Sequence, residues 1–189
     1  MRTHMLIKLV LVSILSTSFL ISQEAEKKVF KAKEPVLLTS VGQSADILMV
    51  KILAKKAGLN FEVDKTDKPE KADSFKTVIV VCGGSTKGLG AAKINKEDEY
   101  ARAEAVIKRA KKNKASVIAV HVGGKSRRGA LSDYFNKLGA ENADHIIVVK
   151  SGDADGYFAK TAKEKGIGID TSDKIVSIQK VFKDIFEKE

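Results

Sequence analysis

Short uninterrupted apolar runs alternate along this chain with longer segments whose apolar residues recur every three or four positions. Thr77–Gly84 (TVIVVCGG) and Ser116–Gly124 (SVIAVHVGG) are apolar on consecutive positions, as strands buried on both faces must be. Val36–Ser40 (VLLTS), Phe61–Val63 and His145–Val149 (HIIVV) read as three further strands. Between them the period changes. A helix is predicted from about Ser44, with Ser44 as its cap, Leu48 and Ile52 four apart on its apolar face, and Gly58 as its stop. Tyr100, Ala103, Ile107 and Ala110 mark one stripe of a helix from Lys96 to about Asn113, capped by Asn95. Leu131, Tyr134, Phe135 and Leu138 mark a shorter helix ended by Gly139. A helix through Tyr157, Phe158 and Ala162, a short IGI segment, and a last helix carrying Ile175, Ile178, Phe182 and Ile185 complete the pattern.

Strands alternating with helices predict an α/β three-layer sandwich around a mainly parallel five-stranded sheet. Right-handed crossovers leave few topologies, and the simplest is the flavodoxin-like or Rossmann-like order 2-1-3-4-5. The expected organisation is a signal peptide over 1–22, a charged linker over 23–34 and a single domain over 35–189. The first of these rests on Arg2 and Lys8 preceding the uncharged run from Leu9 to Ile21, a run too short to span a bilayer comfortably. The expected location is therefore exported, periplasmic or extracellular.

Of the 189 residues, 43% are apolar and 31% charged, which excludes a disordered chain. A lone cysteine, Cys82, excludes an internal disulfide and is most simply a buried apolar residue. The net charge is +10; loss of residues 1–22 removes Arg2 and Lys8 and no acid, leaving +8. Nucleic acid is not the expected partner, because an exported chain seldom meets it and only 6% of the residues are aromatic. The basic run Lys108–Lys114 falls at a helix end, where cations favour the dipole and stay hydrated. Three histidines and one thiol make no zinc set, so no metal and no cofactor is expected.

In an open parallel sheet, ligands bind at the carboxyl ends of the strands where the strand order reverses. For the order 2-1-3-4-5 that place lies between the exits of the first and third strands. The four exits, Thr39–Asp46, Gly83–Gly90, Val122–Asp133 and Ser151–Gly156, are rich in glycine, hydroxyls and charge. A small anionic ligand is the expected partner. Gln43, Ser44, Gly84, Ser85, Thr86 and Lys87 form the expected cradle, with Gly124, Lys125, Arg127 and Arg128 closing over the charge. Such a domain would serve uptake or sensing beside a membrane transporter or sensor, with dimerisation as a way to deepen the site. Two other readings compete. His121 with Ser44 or Ser85 and Asp46 or Asp133 would make a small hydrolase, although no G-x-S-x-G elbow is present. Alternatively, the domain is structural or binds a protein partner and its loops hold no small ligand.

Three segments carry family resemblances. Gly84–Gly90 has the G-x-x-x-G-x-G spacing of short-chain dehydrogenases, but it follows the third strand and lacks a Tyr-x-x-x-Lys partner. Ser40–Ser44 (SVGQS) is similar to a flavodoxin phosphate loop with altered spacing, and Tyr157 is the one aromatic placed to stack on a flavin. From about Pro35 onward, LLTSVGQSADILMVKILAKKAGL, VVCGGSTKGLGAA and VHVGGKSRRGALSD together resemble an uncharacterised family of exported bacterial α/β proteins, a domain of unknown function. That resemblance implies the fold and implies no activity.

Overall fold

The computed structural model describes residues 29–189, so the expected signal peptide over 1–22 and the first part of the expected linker lie outside the described residues. The elements run β1 (Val36–Val41), α1 (Asp46–Lys56), β2 (Phe61–Val63), β3 (Thr77–Cys82), α2 (Thr86–Ala92), α3 (Lys96–Lys112) and β4 (Ser116–His121). They continue α4 (Ala130–Asn142), β5 (His145–Val149), α5 (Tyr157–Lys165), β6 (Gly168–Ser172) and α6 (Ile178–Phe186). The sheet is parallel throughout, in the order β2-β1-β3-β4-β5-β6. Among the described residues no helix is long and apolar enough to cross a membrane.

Consecutive strand residues serve opposite faces. Leu37, Val78, Val80, Val117, Ala119, Ile146 and Val148 pack toward α3, α4 and α5. Val36, Leu38, Ile79, Val81, Ile118, Val120 and Ile147 pack toward α1 and α6. Two apolar layers therefore sandwich the sheet, which explains the unbroken apolar runs of β3 and β4.

Four expectations need correction. The IGI segment begins a sixth strand, β6, paired with β5 from His145 opposite Gly168 to Val149 opposite Ser172. As an edge strand it carries little apolar signal, with Ile169 its single large apolar residue. The first helix starts at Asp46, after Ala45, and Ser44 makes a local turn instead of a cap: its Oγ accepts from the Asp46 N–H at 3.2 Å. The buried face of that helix is Ile47, Val50, Leu53 and Ala54, while Leu48 and Ile52 point outward, 57% and 48% exposed. Apolar residues on nearly every side of α1 left its period ambiguous. Finally, Gly139 does not end α4 but lies inside it, where a β-carbon would overlap the Cys82 sulfur. That thiol is wholly buried and pushed up to about 12 by desolvation.

Candidate functional site

All four strand exits gather at one edge, as a parallel sheet requires, but they separate into two pairs. The exits of β1 and β3 are tied by an antiparallel bridge between Gln43 and Gly84. Between them lies a hollow of about 270 Å³ whose lining includes Ser44, Leu48, Lys65, Ser85, Lys87 and Arg127, together with Gln43 and Ala91. The segment expected to be a glycine loop is the two-turn helix α2, capped by Ser85, whose Oγ accepts from the Gly88 N–H at 3.1 Å. Gly88 is required there, because a β-carbon would overlap the Gln43 carbonyl.

Gln43 adopts a left-handed conformation (φ 58°), an uncommon one for a residue other than glycine. A buried polar network supports it from below. Its Nε2 donates to the Lys65 carbonyl at 2.8 Å and to Glu99 Oε2 at 3.1 Å, and the Gly42 N–H donates to Glu99 Oε1 at 2.9 Å. Arg102 holds Glu99 in turn, donates to the Ser40 carbonyl at 2.6 Å, and reaches Asp67 Oδ1 at 2.7 Å. Thr39 donates to that same Asp67 oxygen at 2.7 Å. Burial pushes the Asp67 carboxyl above its ordinary value, against the opposing pull of Thr39 and Arg102. Gln43 is therefore a positioning residue, its amide nitrogen engaged inside the protein rather than facing a ligand.

The exits of β4 and β5 are sealed. Arg128 donates to Asp133 at 2.6 Å, to the Gly152 carbonyl at 2.6 Å, and through two nitrogens to both oxygens of Asp155 at 2.8 and 2.7 Å. The bidentate Asp155 pair raises the guanidinium pKa, and Arg128 holds Asp155 down at about 2. Burial works against Asp133, yet Arg128, the Gly129 N–H and Asn136 keep it below the usual carboxylate value. The expected closure of Arg128 over a ligand is thus corrected: its donors are taken by acids of the chain itself.

Arg127, next in the chain, points elsewhere. It lines the hollow and stands 3.5 Å from Asp46 Oδ2, an oxygen buried without a hydrogen-bond partner. Lys87 lines the hollow, whereas Lys125 and Thr86 are exposed and do not line it. Gly84 packs against Leu131, and Gly124 packs against Ser151. Ser44 and Ser85 reach the hollow together, and Lys65 joins them from the loop after β2.

The arrangement does not assemble the hydrolytic trio. His121 is buried, its Nδ1 3.2 Å from the Cys82 carbonyl and its Nε2 3.4 Å from the Gly124 carbonyl, with the ring stacked on Phe158 at 5.1 Å. Desolvation lowers its pKa, so the neutral ring donates to one carbonyl. Among the described residues no hydrogen bond joins it to Ser44, Ser85, Asp46 or Asp133.

Another hollow, of about 310 Å³, opens at the opposite edge between Phe30, His145, Asp170 and Ile185. Its charged groups pair within the chain, and His145 Nδ1 is buried without a hydrogen-bond partner. His145 Nε2 meets Asp170 at 2.7 Å under a stacked Phe30 ring, Lys31 donates to the Asp184 carbonyl at 2.9 Å, and His145 Nδ1 faces Gly168. Among the described residues Lys65 and Lys87 pair with no acid, and the smaller hollow that they line has the topological position of a ligand site.

The sequence reading missed Glu99, Arg102, Asp67 and Lys65. A signal existed for the first two: Glu99 falls on the same stripe of α3 as Ala103, Val106 and Ala110, an apolar face where a charge needs a buried partner. Asp67 and Lys65 sit in a polar loop without periodicity and gave none.

Two solved structures match this chain at low similarity. One is a GDSL-like lipase from Bacteroides thetaiotaomicron, 12% identical, covering 75% of this chain and 68% of its own, with a TM-score of 0.34. The other is the psychrotrophic esterase EstA from Pseudoalteromonas, 8% identical, covering 74% and 78%, with a TM-score of 0.31. No curated protein matches the chain. Residues 33–186 match one family model, and by that match this chain belongs to the domain of unknown function DUF6305.

Proposed function

We propose that this protein is an exported binding domain that holds a small carboxylate or phosphate in the hollow between the β1 and β3 exits. One observation carries the reading: Lys65, Lys87 and Arg127 converge with the hydroxyl-bearing Ser44 and Ser85 on a hollow of about 270 Å³ at the switch point of a parallel sheet. Three cations around one small cavity focus positive potential on it, and Arg127 offers a planar fork suited to an oxyanion. Asp46 beside Arg127 orients the guanidinium at the cost of some of that potential. Export rests on the residue pattern of 1–22 and gives such a domain a role in capturing a solute for a membrane partner.

The test is a thermal-shift series with phosphate and small carboxylates, since a ligand that binds only the folded state raises Tm. Arg127→Ala and Lys87→Ala, each at a solvent-accessible position, should abolish the shift and leave the ligand-free Tm within about 2 °C. A shift of undiminished size in both variants rejects the site.

A further inference from the structure

We infer that the anion this site takes is amphiphilic, a carboxylate or phosphate monoester with an acyl or alkyl chain that lies along the outer face of α1. The inference rests on the anion-site reading above and adds the ligand's tail to it.

The wall of the hollow is not uniformly polar. Ile47, Leu48 and Ala91 line it beside the three cations. Leu48 is 57% exposed, and the apolar surface does not stop there. Ile52, one turn further along α1, is 48% exposed, and Met49, three residues before Ile52, is 40% exposed. These residues form a strip leading out of the hollow, while Ile47, Val50 and Leu53 of the same helix face the core. Single exposed apolar side chains are ordinary on protein surfaces. A strip of three that opens into a cation-lined hollow is a different feature.

Lys55, seven residues after Leu48, begins a polar end to the strip. At 1.5 Å rise per residue, Leu48 to the polar boundary at Lys55 spans about 10 Å, the reach of a chain of about eight carbons. A protein partner is a poorer occupant. Three side chains bordered by Lys51, Lys55 and Lys56 offer far less than the roughly 800 Å² per side of a stable interface. The cations mark where the head of the ligand sits and the strip gives the direction of its tail.

The experiment is a calorimetric titration of the purified protein with acetate, butanoate, hexanoate and octanoate below their micelle concentrations, with inorganic phosphate as the tailless control. Affinity should rise about two- to fourfold per methylene placed on the strip, and level off near octanoate. Met49→Ser with Ile52→Ser, neither of which lines the hollow, should flatten the series without weakening phosphate. Ile52→Glu alone, at a solvent-facing position, should depress octanoate more than acetate, and it serves if the double variant is unstable. Arg127→Ala should weaken every member. Affinity independent of chain length, with phosphate still bound, overturns the amphiphilic ligand and leaves the anion site standing. Octanoate binding unchanged by both strip variants overturns it equally. Failure of every compound, phosphate included, overturns the anion site and this inference together.

Discussion

Both oxygens of Glu99 are engaged beneath the end of β1, Oε1 by the Gly42 N–H at 2.9 Å and Oε2 by Gln43 Nε2 at 3.1 Å. Glu99 belongs to α3, which packs on the face of the sheet opposite α1. The carboxylate thus reaches past the strand end to fix the turn that forms one side of the hollow. Its own charge is matched by Arg102, 2.8 Å away, which also serves Asp67.

Removing that shared cation should be costly. Arg102→Ala leaves Glu99 and Asp67, both with fully buried side chains, without their counter-ion. The expected loss is about 3–5 kcal/mol, read from urea unfolding. A loss below about 1 kcal/mol means that the network does not support the turn.

Asp67 gives a pH dependence with a definite sign. Its folded pKa lies above the unfolded value of 3.8, so the stability it contributes is complete below that value and is lost as pH rises through the folded pKa. Asp67→Asn retains an acceptor for Thr39 and cannot ionise. The stability of Asp67→Asn relative to wild type should therefore increase as pH is raised from about 4 toward neutrality, measured by Tm at each pH. A difference that is flat with pH, or one that declines, contradicts burial as the dominant influence on this group.

Arg128 should behave as a structural clamp. Arg128→Ala removes bonds to Asp133, Asp155 and the Gly152 carbonyl, and is expected to destabilise the protein by about 1–3 kcal/mol. Phosphate binding, by contrast, should persist once the variant is folded. Asp155 has a lowered pKa of about 2, so its contribution is present above 3.8 and lost as pH falls toward 2. In the variant, acid unfolding should lose that component. Loss of phosphate affinity with unchanged stability would place Arg128 at the ligand instead.

Much of this architecture is legible in the residues, and the gaps have physical causes. The parallel order follows from the apolar runs of β3, β4 and β5 and from the helices between them, because a strand covered on both faces has little choice of side chain. Edge strand β6 and the two-turn α2 are faint for opposite reasons. The first buries little, and the second is built partly of glycines that close packing requires, as Gly88 against Gln43 shows. The sequence places Arg127 and Arg128 at the strand-exit edge, where both lie after β4, but does not separate their roles. That separation depends on Asp155, 27 residues away and in a different loop. Gln43 reads as a ligand contact until Glu99 and Lys65 are brought beneath it.

Gly88 offers an independent check on the turn. Gly88→Ala drives a β-carbon into the Gln43 carbonyl, so it should cost about 1–3 kcal/mol or more and displace Gln43. Gly90→Ala, two residues on and with nothing within 4 Å of the added carbon, should be neutral or slightly stabilising in a helix. Equal effects of the two substitutions on Tm contradict the close approach of α2 to the β1 exit.

The most direct measurement is the map of backbone amide shifts in a phosphate titration of the ¹⁵N-labelled protein. A ligand seated in the hollow should give saturable shifts confined to Gln43–Ala45, Lys65, Ser85–Gly88 and Arg127, with the lysine-rich end of α3 from Lys108 to Lys112 unmoved. Shifts centred on α3, or spread without saturation over the basic surface, would show that the hollow between β1 and β3 is not where this domain receives its ligand.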